Sequence, residues 1–347
     1  MHPAYFGMVM ATGIVSIASH LLASDGLPAL AWVARLLFYI NIVAYIVLWV
    51  LTFQRIARYR DRVVADFMHH GRCVGFFTVV AATCVLGTQV LLIGGNWRAA
   101  TVLWLLGIGL WTVLTYAIFA IITVKQTKPS LAEGINGGWL LSVVAAQSVA
   151  VLGAQLAGNF SDEIQPVSLF FALAMWLGGG MLYVWIISLI FYRYTFFRFR
   201  PDDLSPPYWI NMGAMAISTL AGSLLIINAP DAPFLLSLLP FIKGFTIFYW
   251  ATGTWWIPML LLLGLWRHLY MRFPLRYDPL YWGAVFPLGM YAASTHTLTQ
   301  AMQLHFLEAL PELFLGAALL AWAAAFLGAV NQAFDASRSI WKAISQR

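Results

Sequence analysis

The sequence predicts an all-α polytopic membrane protein, with ten transmembrane helices arranged as five helical hairpins in one domain over residues 1–347. Three observations predict it. The chain is 62% hydrophobic and 9% charged, where a soluble domain carries about 25% charged residues. Several apolar runs exceed the roughly 20 residues that cross a bilayer, and none has the period-two alternation of a membrane barrel. Finally, a core of small residues followed at once by short polar ones recurs five times: Met10-Ala-Thr12-Gly13, Ala81-Ala-Thr83-Cys84, Ala145-Ala-Gln147-Ser148, Ala216-Ile-Ser218-Thr219 and Ala292-Ala-Ser294-Thr295. The copies lie roughly 64 to 76 residues apart, room for two spans and two loops per unit.

The ten spans run about 4–23, 29–53, 73–93, 98–124, 136–156, 166–192, 208–228, 244–268, 279–303 and 311–333. Met1 to Leu22 has no basic stretch ahead of its apolar run, so it reads as a helix of the mature protein rather than a signal peptide. Turn-forming sequences separate the spans, among them Asp25-Gly26-Leu-Pro28, Gly94-Gly95-Asn96, Lys128-Pro129, Pro206-Pro207 and Phe273-Pro274. Segment 229–243 is expected to be the longest connector on its side, either irregular or with a short surface helix within it. The even spans are richer in aromatics, as in Trp32, Trp49, Trp104, Trp111, Trp176, Trp185 and Trp255-Trp256, which places odd helices inside and even helices outside against lipid.

Orientation follows from the basic residues. Sixteen of the nineteen Lys and Arg fall in alternate connectors: Arg55 to Arg72, Lys125 and Lys128, Arg193 to Arg200, Arg267 to Arg276, and Arg338 to Arg347. Arg35, Arg98 and Lys243 fall at or near the other side. Basic connectors stay cytoplasmic, so both termini are expected there, in the cell's inner (plasma) membrane. The same distribution turns a net charge of +6 and a pI near 9.4 into a topology signal, and no nucleic-acid partner is expected.

No catalytic, metal or phosphate-loop constellation emerges, and no cofactor is expected. His69 and His70 are adjacent and point about 100° apart on a helix. Gly178-Gly-Gly180 lies mid-span, where close helix packing is its natural role. Cys73 and Cys84 lie three turns apart on one predicted helix and read as packing residues. All thirteen acids can be placed in loops or at helix ends, whereas cation pathways usually hold a carboxylate inside the membrane. The odd spans offer hydroxyls and amides instead. Thr12, Ser16, Thr83, Gln147, Ser218 and Ser294, together with Phe6 and Phe77, are the expected pore lining. Such groups can bind an anion weakly enough to release it. The same residue types also serve plain helix packing.

Pro287 removes a backbone hydrogen bond inside the ninth span and should kink it, and Phe286 beside it could plug a cavity by dewetting. His296 lies about 2.5 turns beyond Phe286 and can titrate near neutrality. Lys243 and Arg35 can raise the anion concentration at an external mouth.

Tyr5-Phe6-Gly-Met-Val-Met-Ala11-Thr12-Gly13-Ile-Val-Ser16 resembles the opening of the tellurite-resistance and dicarboxylate transporter family, and Trp282-Gly-Ala-Val-Phe286-Pro287-Leu-Gly-Met-Tyr is similar to that family's ninth helix. This family also includes plant slow anion channels, fungal malate permeases and sulfite efflux pumps. The resemblance implies a homotrimer, each protomer with its own pore, formed by five inner helices inside five outer ones in a quasi-five-fold array. It implies passage of small anions of the dicarboxylate, tellurite, sulfite, halide or nitrate type. It also implies a pore-occluding phenylalanine on helix nine, which falls on Phe286. The alternative within the family is a proton-coupled dicarboxylate carrier with His296 as the titrating group. An alternative of another class, a membrane-embedded enzyme or sensor, would need a reactive cluster that the sequence lacks.

Overall fold

The ten expected spans form in the computed structural model, which describes residues 2–275 and 277–345. Of the charged residues placed above, Arg276 and Arg347 lie outside the described residues, as do the side chains of Asp335 and Lys342. The long helices are α1 (Gly7–Ser24), α2 (Leu30–Arg58), α3 (Phe77–Leu92), α4 (Trp97–Val124) and α5 (Leu141–Leu156), followed by α6 (Gln165–Phe196), α7 (Ile210–Ile227), α8 (Pro233–Leu265), α9 (Trp282–Met302) and α10 (Ala309–Ser345). Among the described residues, nine spans are long and apolar enough to cross a membrane. The tenth, α9, falls short on composition, because Ser294, Thr295, His296, Thr297, Thr299 and Gln300 dilute its second half. Its 21 residues still reach about 31 Å at 1.5 Å per residue, roughly the thickness of a hydrocarbon core.

Local chemistry sets the helix ends. Asn96 caps α4, its side-chain oxygen accepting from the Ala99 amide at 3.0 Å. Pro166 and Pro233 sit in the first turns of α6 and α8, where a missing N–H costs nothing. Arg55 and Arg58 lie in the last turn of α2, where the helix dipole favours cations. Segment 229–243 is not a long connector: α8 begins at Pro233 and continues through Pro240, so only Asn228, a short 3-10 turn, Ala229–Asp231, and Ala232 separate it from α7. The Asp and Pro residues that suggested a loop are the helix start.

The odd helices contact one another in a closed ring, α1 on α3, α3 on α5, α5 on α7, α7 on α9 and α9 back on α1. The even helices lie outside it. In the most apolar window of each span, 78–94% of residues are buried for α1, α3, α5 and α7, against 17–44% for the even helices. The exposed outer faces carry Tyr39, Val43, Ile46, Trp185, Leu262 and Leu320. An apolar surface of that extent is stable only against lipid.

The outer tryptophans split into two sets, which refines the aromatic argument. Trp32, Trp185 and Trp255 face outward. Trp104 and Trp176 are buried, and each turns its indole into the ring. Trp104 Nε1 donates to the Val149 carbonyl of α5 at 3.0 Å, and Trp176 Nε1 to the Ser218 carbonyl of α7 at 2.8 Å. In both cases a glycine one turn on, Gly153 or Gly222, makes room: a Cβ there would lie 2.8 Å or 3.0 Å from the indole. Further along, Trp250 Nε1 donates to Thr295 Oγ1 of α9 at 3.1 Å and Trp322 Nε1 to Thr12 Oγ1 of α1 at 2.9 Å. The first unit uses Tyr45 instead, whose hydroxyl meets Thr83 Oγ1 of α3 at 2.9 Å. Each outer helix thereby bonds to the inner helix that follows it, and the last bonds to the first.

Candidate functional site

Each inner helix begins in the same way. A 3-10 turn rich in Pro, Gly and aromatics precedes it: Pro3–Phe6, Val74–Phe76, Gly137–Leu140, Pro206–Trp209 and Pro279–Tyr281. Side chains fasten several of these turns. His2 Nδ1 accepts from the Ala4 amide at 3.1 Å, Asn136 Oδ1 from Gly138 at 2.8 Å and Asp278 Oδ1 from Leu280 at 2.7 Å. The five turns surround a cavity of about 90 Å³, bordered by His2, Gly7, Gly75, Gly138, Pro207 and Gly283 among others. It lies at the basic end of the molecule, so the N-termini of all five inner helices converge on it. Each brings the positive end of its backbone dipole, roughly half a unit charge.

A second, smaller cavity of about 10 Å³ lies further along the same helices. All five contribute: Ile14 and Ile17 from α1, Cys84, Val85 and Thr88 from α3, Ser148 and Val151 from α5, Ile217 and Leu220 from α7, and Met290 from α9. Among the described residues, no Asp, Glu, Lys or Arg borders either cavity.

Helical spacing places Phe286 between the two. It follows Gly283, which borders the first cavity, by three residues, and precedes Met290, which borders the second, by four; residues so spaced share one face. The same register holds Met10 on α1, between Gly7 and Ile14, and smaller residues on the other three helices. Ala81 lies between Thr78 and Val85, Val144 between Leu141 and Ser148, and Ala214 between Ile210 and Ile217. Phe286 is fully buried. Pro287 turns toward α7, where a Cβ on Gly213 would lie 2.7 Å from its ring. The helix continues through Pro287 without a break, but the proline offers no N–H to the Gly283 carbonyl, which is left at the first cavity's wall.

The residues expected to line a path sit elsewhere. None of Phe6, Thr12, Ser16, Phe77, Thr83, Gln147, Ser218 and Ser294 borders either cavity. Thr12 and Thr83 are committed to Trp322 and Tyr45 of the outer helices, Ser16 Oγ donates to the Ala34 carbonyl of α2 at 2.7 Å, and Gln147 Nε2 donates to the Trp176 carbonyl of α6 at 2.9 Å. Ser218 and Ser294 bond their own helix, at the carbonyls of Ala214 and Tyr291. Phe6 packs edge-on against Tyr45 and Trp49, and Phe77 against Phe119, all on outer helices. The small-then-polar core therefore joins inner helix to outer helix. Two of its members that the sequence reading passed over, Cys84 and Ser148, do reach the second cavity. The usable signal was the recurrent Pro/Gly–aromatic turn ahead of each odd helix.

At the opposite end, His296 Nδ1 lies 3.4 Å from Asp25 Oδ2, and Gln300 Nε2 donates to His296 Nε2 at 3.2 Å. Arg35 is exposed and Lys243 half-buried. At the basic end, burial and the nearby Arg72 charge hold the His2 imidazole below its usual range, against smaller opposing effects of Asp66 and Asp278. Two ion-paired clusters brace that end. Asp66 joins Arg55 of α2 to Arg72, which it meets at 2.7 Å. Arg193 of α6 donates to the Ala132 carbonyl at 2.7 Å and the Tyr208 hydroxyl at 2.5 Å, and pairs with Asp203 at 3.4 Å.

A ring of apolar helices enclosing an axis with neutral walls and positive helix ends defines a multi-pass membrane transport protein. Residues 1–330 match the family described as voltage-dependent anion channel, SLAC1, and the chain belongs to that family. An uncharacterized transporter of Methanocaldococcus jannaschii is 28% identical over 295 residues, covering 84% of this chain and 83% of the relative. A sulfite efflux pump of Trichophyton rubrum is 25% identical over 332 residues, covering 90% and 85%. An uncharacterized membrane protein of Mycobacterium tuberculosis is 39% identical over 150 residues, 43% of this chain and 76% of the relative.

Proposed function

We propose that the chain passes small anions along the axis joining the two cavities, through a quasi-five-fold array gated by Phe286 seated beside Pro287. The observation that carries this reading is the convergence of five helix N-termini on a cavity where, among the described residues, no wall side chain is charged other than His2 when protonated. Helix ends attract anions without a fixed cation that would hold them. The axis is neutral and narrow, which suits singly charged or weakly hydrated anions, and a sulfite efflux pump among the relatives makes sulfite a first substrate to try. The path is lined by the faces bearing Ile14, Thr88, Ser148, Ile217 and Met290, with the hydroxyl set of the sequence reading as supporting packing. No catalytic residue is assigned. On this reading the protein sits in the plasma membrane with both termini cytoplasmic, an orientation that the basic end supports, and assembles as a homotrimer with one path per protomer.

A second reading, a proton-coupled dicarboxylate carrier, is favoured by one observation, the His296–Asp25 pair with Gln300 at the end opposite the basic loops. Purified protein in liposomes tests both. Flux of sulfite, nitrate, chloride, malate or tellurite above that of empty liposomes is expected, and none for any of them would refute anion passage. Malate uptake that responds to an imposed pH gradient would favour the carrier.

A further inference from the structure

A cavity larger than either axial one lies off the axis. It is an apolar groove of about 450 Å³ on the outer surface, between α4 and α6 at the basic end. Phe119 comes from α4, and Leu182, Trp185, Ile186 and Leu189 come from α6. The loop leading into α5 closes the groove with Ile135 and Trp139. Its rim is different in kind: Lys128, Ser130 and His70 border it there. Lys128 Nζ donates to the Thr123 carbonyl at 3.1 Å, which leaves two ammonium protons for a ligand. Lys125 lies near His70 and adds to the positive field. The carboxylate on the same loop, Glu133, is exposed and does not border the groove.

We propose that this groove is a binding site for an anionic phospholipid, with an acyl chain along α6 and the phosphate at Lys128 and Ser130. The proposal rests on the orientation given above, which puts the rim at the cytoplasmic leaflet, where anionic lipids concentrate. An apolar trough with cations only at its headgroup end fits that lipid and discriminates against a zwitterionic one.

The site also has a route to the axis. In three adjacent pairs, one residue borders the groove and its neighbour borders the first axial cavity: His70 with Gly71, Ile135 with Asn136, and Trp139 with Gly138. The two spaces are back to back across a single thickness of chain. A lipid that braces Ile135 and Trp139 therefore braces the turn that forms one fifth of the vestibule, independently of which anion passes.

The test is lipid retention. Purified protein is reconstituted in equal parts phosphatidylglycerol and phosphatidylcholine, re-extracted in mild detergent and weighed by native mass spectrometry. Preferential retention of phosphatidylglycerol is expected. Lys128→Gln should reduce that preference about five-fold, the weight of one cation near an anionic leaflet, and Lys128→Arg should keep it. Leu182→Trp, which fills the trough, should reduce retention of either lipid. Equal retention of the two lipids by the unaltered protein would overturn the proposal, as would a preference untouched by Lys128→Gln. A loss of oligomer mass in Leu182→Trp with lipid unchanged would assign the groove to a second copy of the chain and overturn it too. Should Leu182→Trp fail to fold, the Lys128 pair decides. Because the readout is bound lipid, it stands whether or not the chain passes anions.

Discussion

Thr12→Val separates two roles for the recurrent polar core. Valine keeps the shape of threonine and removes the hydroxyl that accepts from Trp322 Nε1 at 2.9 Å. Thr12 is 2% exposed, so water does not replace the lost bond. An unsatisfied buried donor costs about 1–3 kcal/mol in soluble proteins, but hydrogen bonds between membrane helices average about 0.6 kcal/mol and reach about 1.7. Trp322 is only part-buried, which favours the lower end. A loss of about 1 kcal/mol is expected, close to a five-fold change in the folded-to-unfolded ratio. The bond closes the ring between α10 and α1, so the loss should appear as a lower midpoint for unfolding in mixed detergent micelles. Combining Thr12→Val with Trp322→Phe should cost less than the sum of the two, the mark of a direct bond. Anion flux per folded protein should stay at the level of the unaltered chain, because Thr12 borders neither cavity. Changed anion selectivity with unchanged stability would refute this reasoning and return Thr12 to the path.

Two other perturbations act at the basic end. Arg193→Ala removes a nearly buried guanidinium that ties Ala132, Tyr208 and Asp203 together. Breaking such a group costs about 3–5 kcal/mol, discounted here because Asp203 is about one third exposed; the expected outcome is a markedly lower unfolding midpoint, checked in the same micelle assay. His2 gives a pH dependence of known sign. Its pKa lies below the usual histidine range because of burial and then Arg72, so it is neutral at pH 7 and gains charge only as pH falls beneath about 6.5. The unfolded chain takes up the proton first, so stability falls as pH drops through that window. A charged His2 in the vestibule also attracts anions. Flux from the basic side should rise on acidification, and His2→Gln should abolish the rise.

Much of the architecture was legible in the sequence because a bilayer punishes exposed polar backbone, which makes spans readable as apolar runs and their ends as Pro, Gly and Asn. Nearly every boundary follows from that. Segment 229–243 misled because proline marks a helix start as readily as a loop. The inside–outside alternation was also readable, although Trp104 and Trp176, taken as lipid-facing, are the buried ties of the fold. The site was less legible. Residues 83 and 84, or 147 and 148, differ by about 100° around a helix, so a recurrent pair identifies a turn but not which member faces the axis. Composition cannot supply that angle. The gate role proposed for Phe286 comes from the family resemblance, because a lone phenylalanine in a membrane helix serves packing just as well.

Phe286→Ala tests the account most directly. By helical spacing Phe286 shares a face with Gly283 and Met290, which border one axial cavity each, so on the proposed reading its removal should merge them. Single-protein recordings in planar bilayers should then give an anion conductance well above that of the unaltered chain. An unchanged current from variant protein present in the membrane at equal amount would contradict the account.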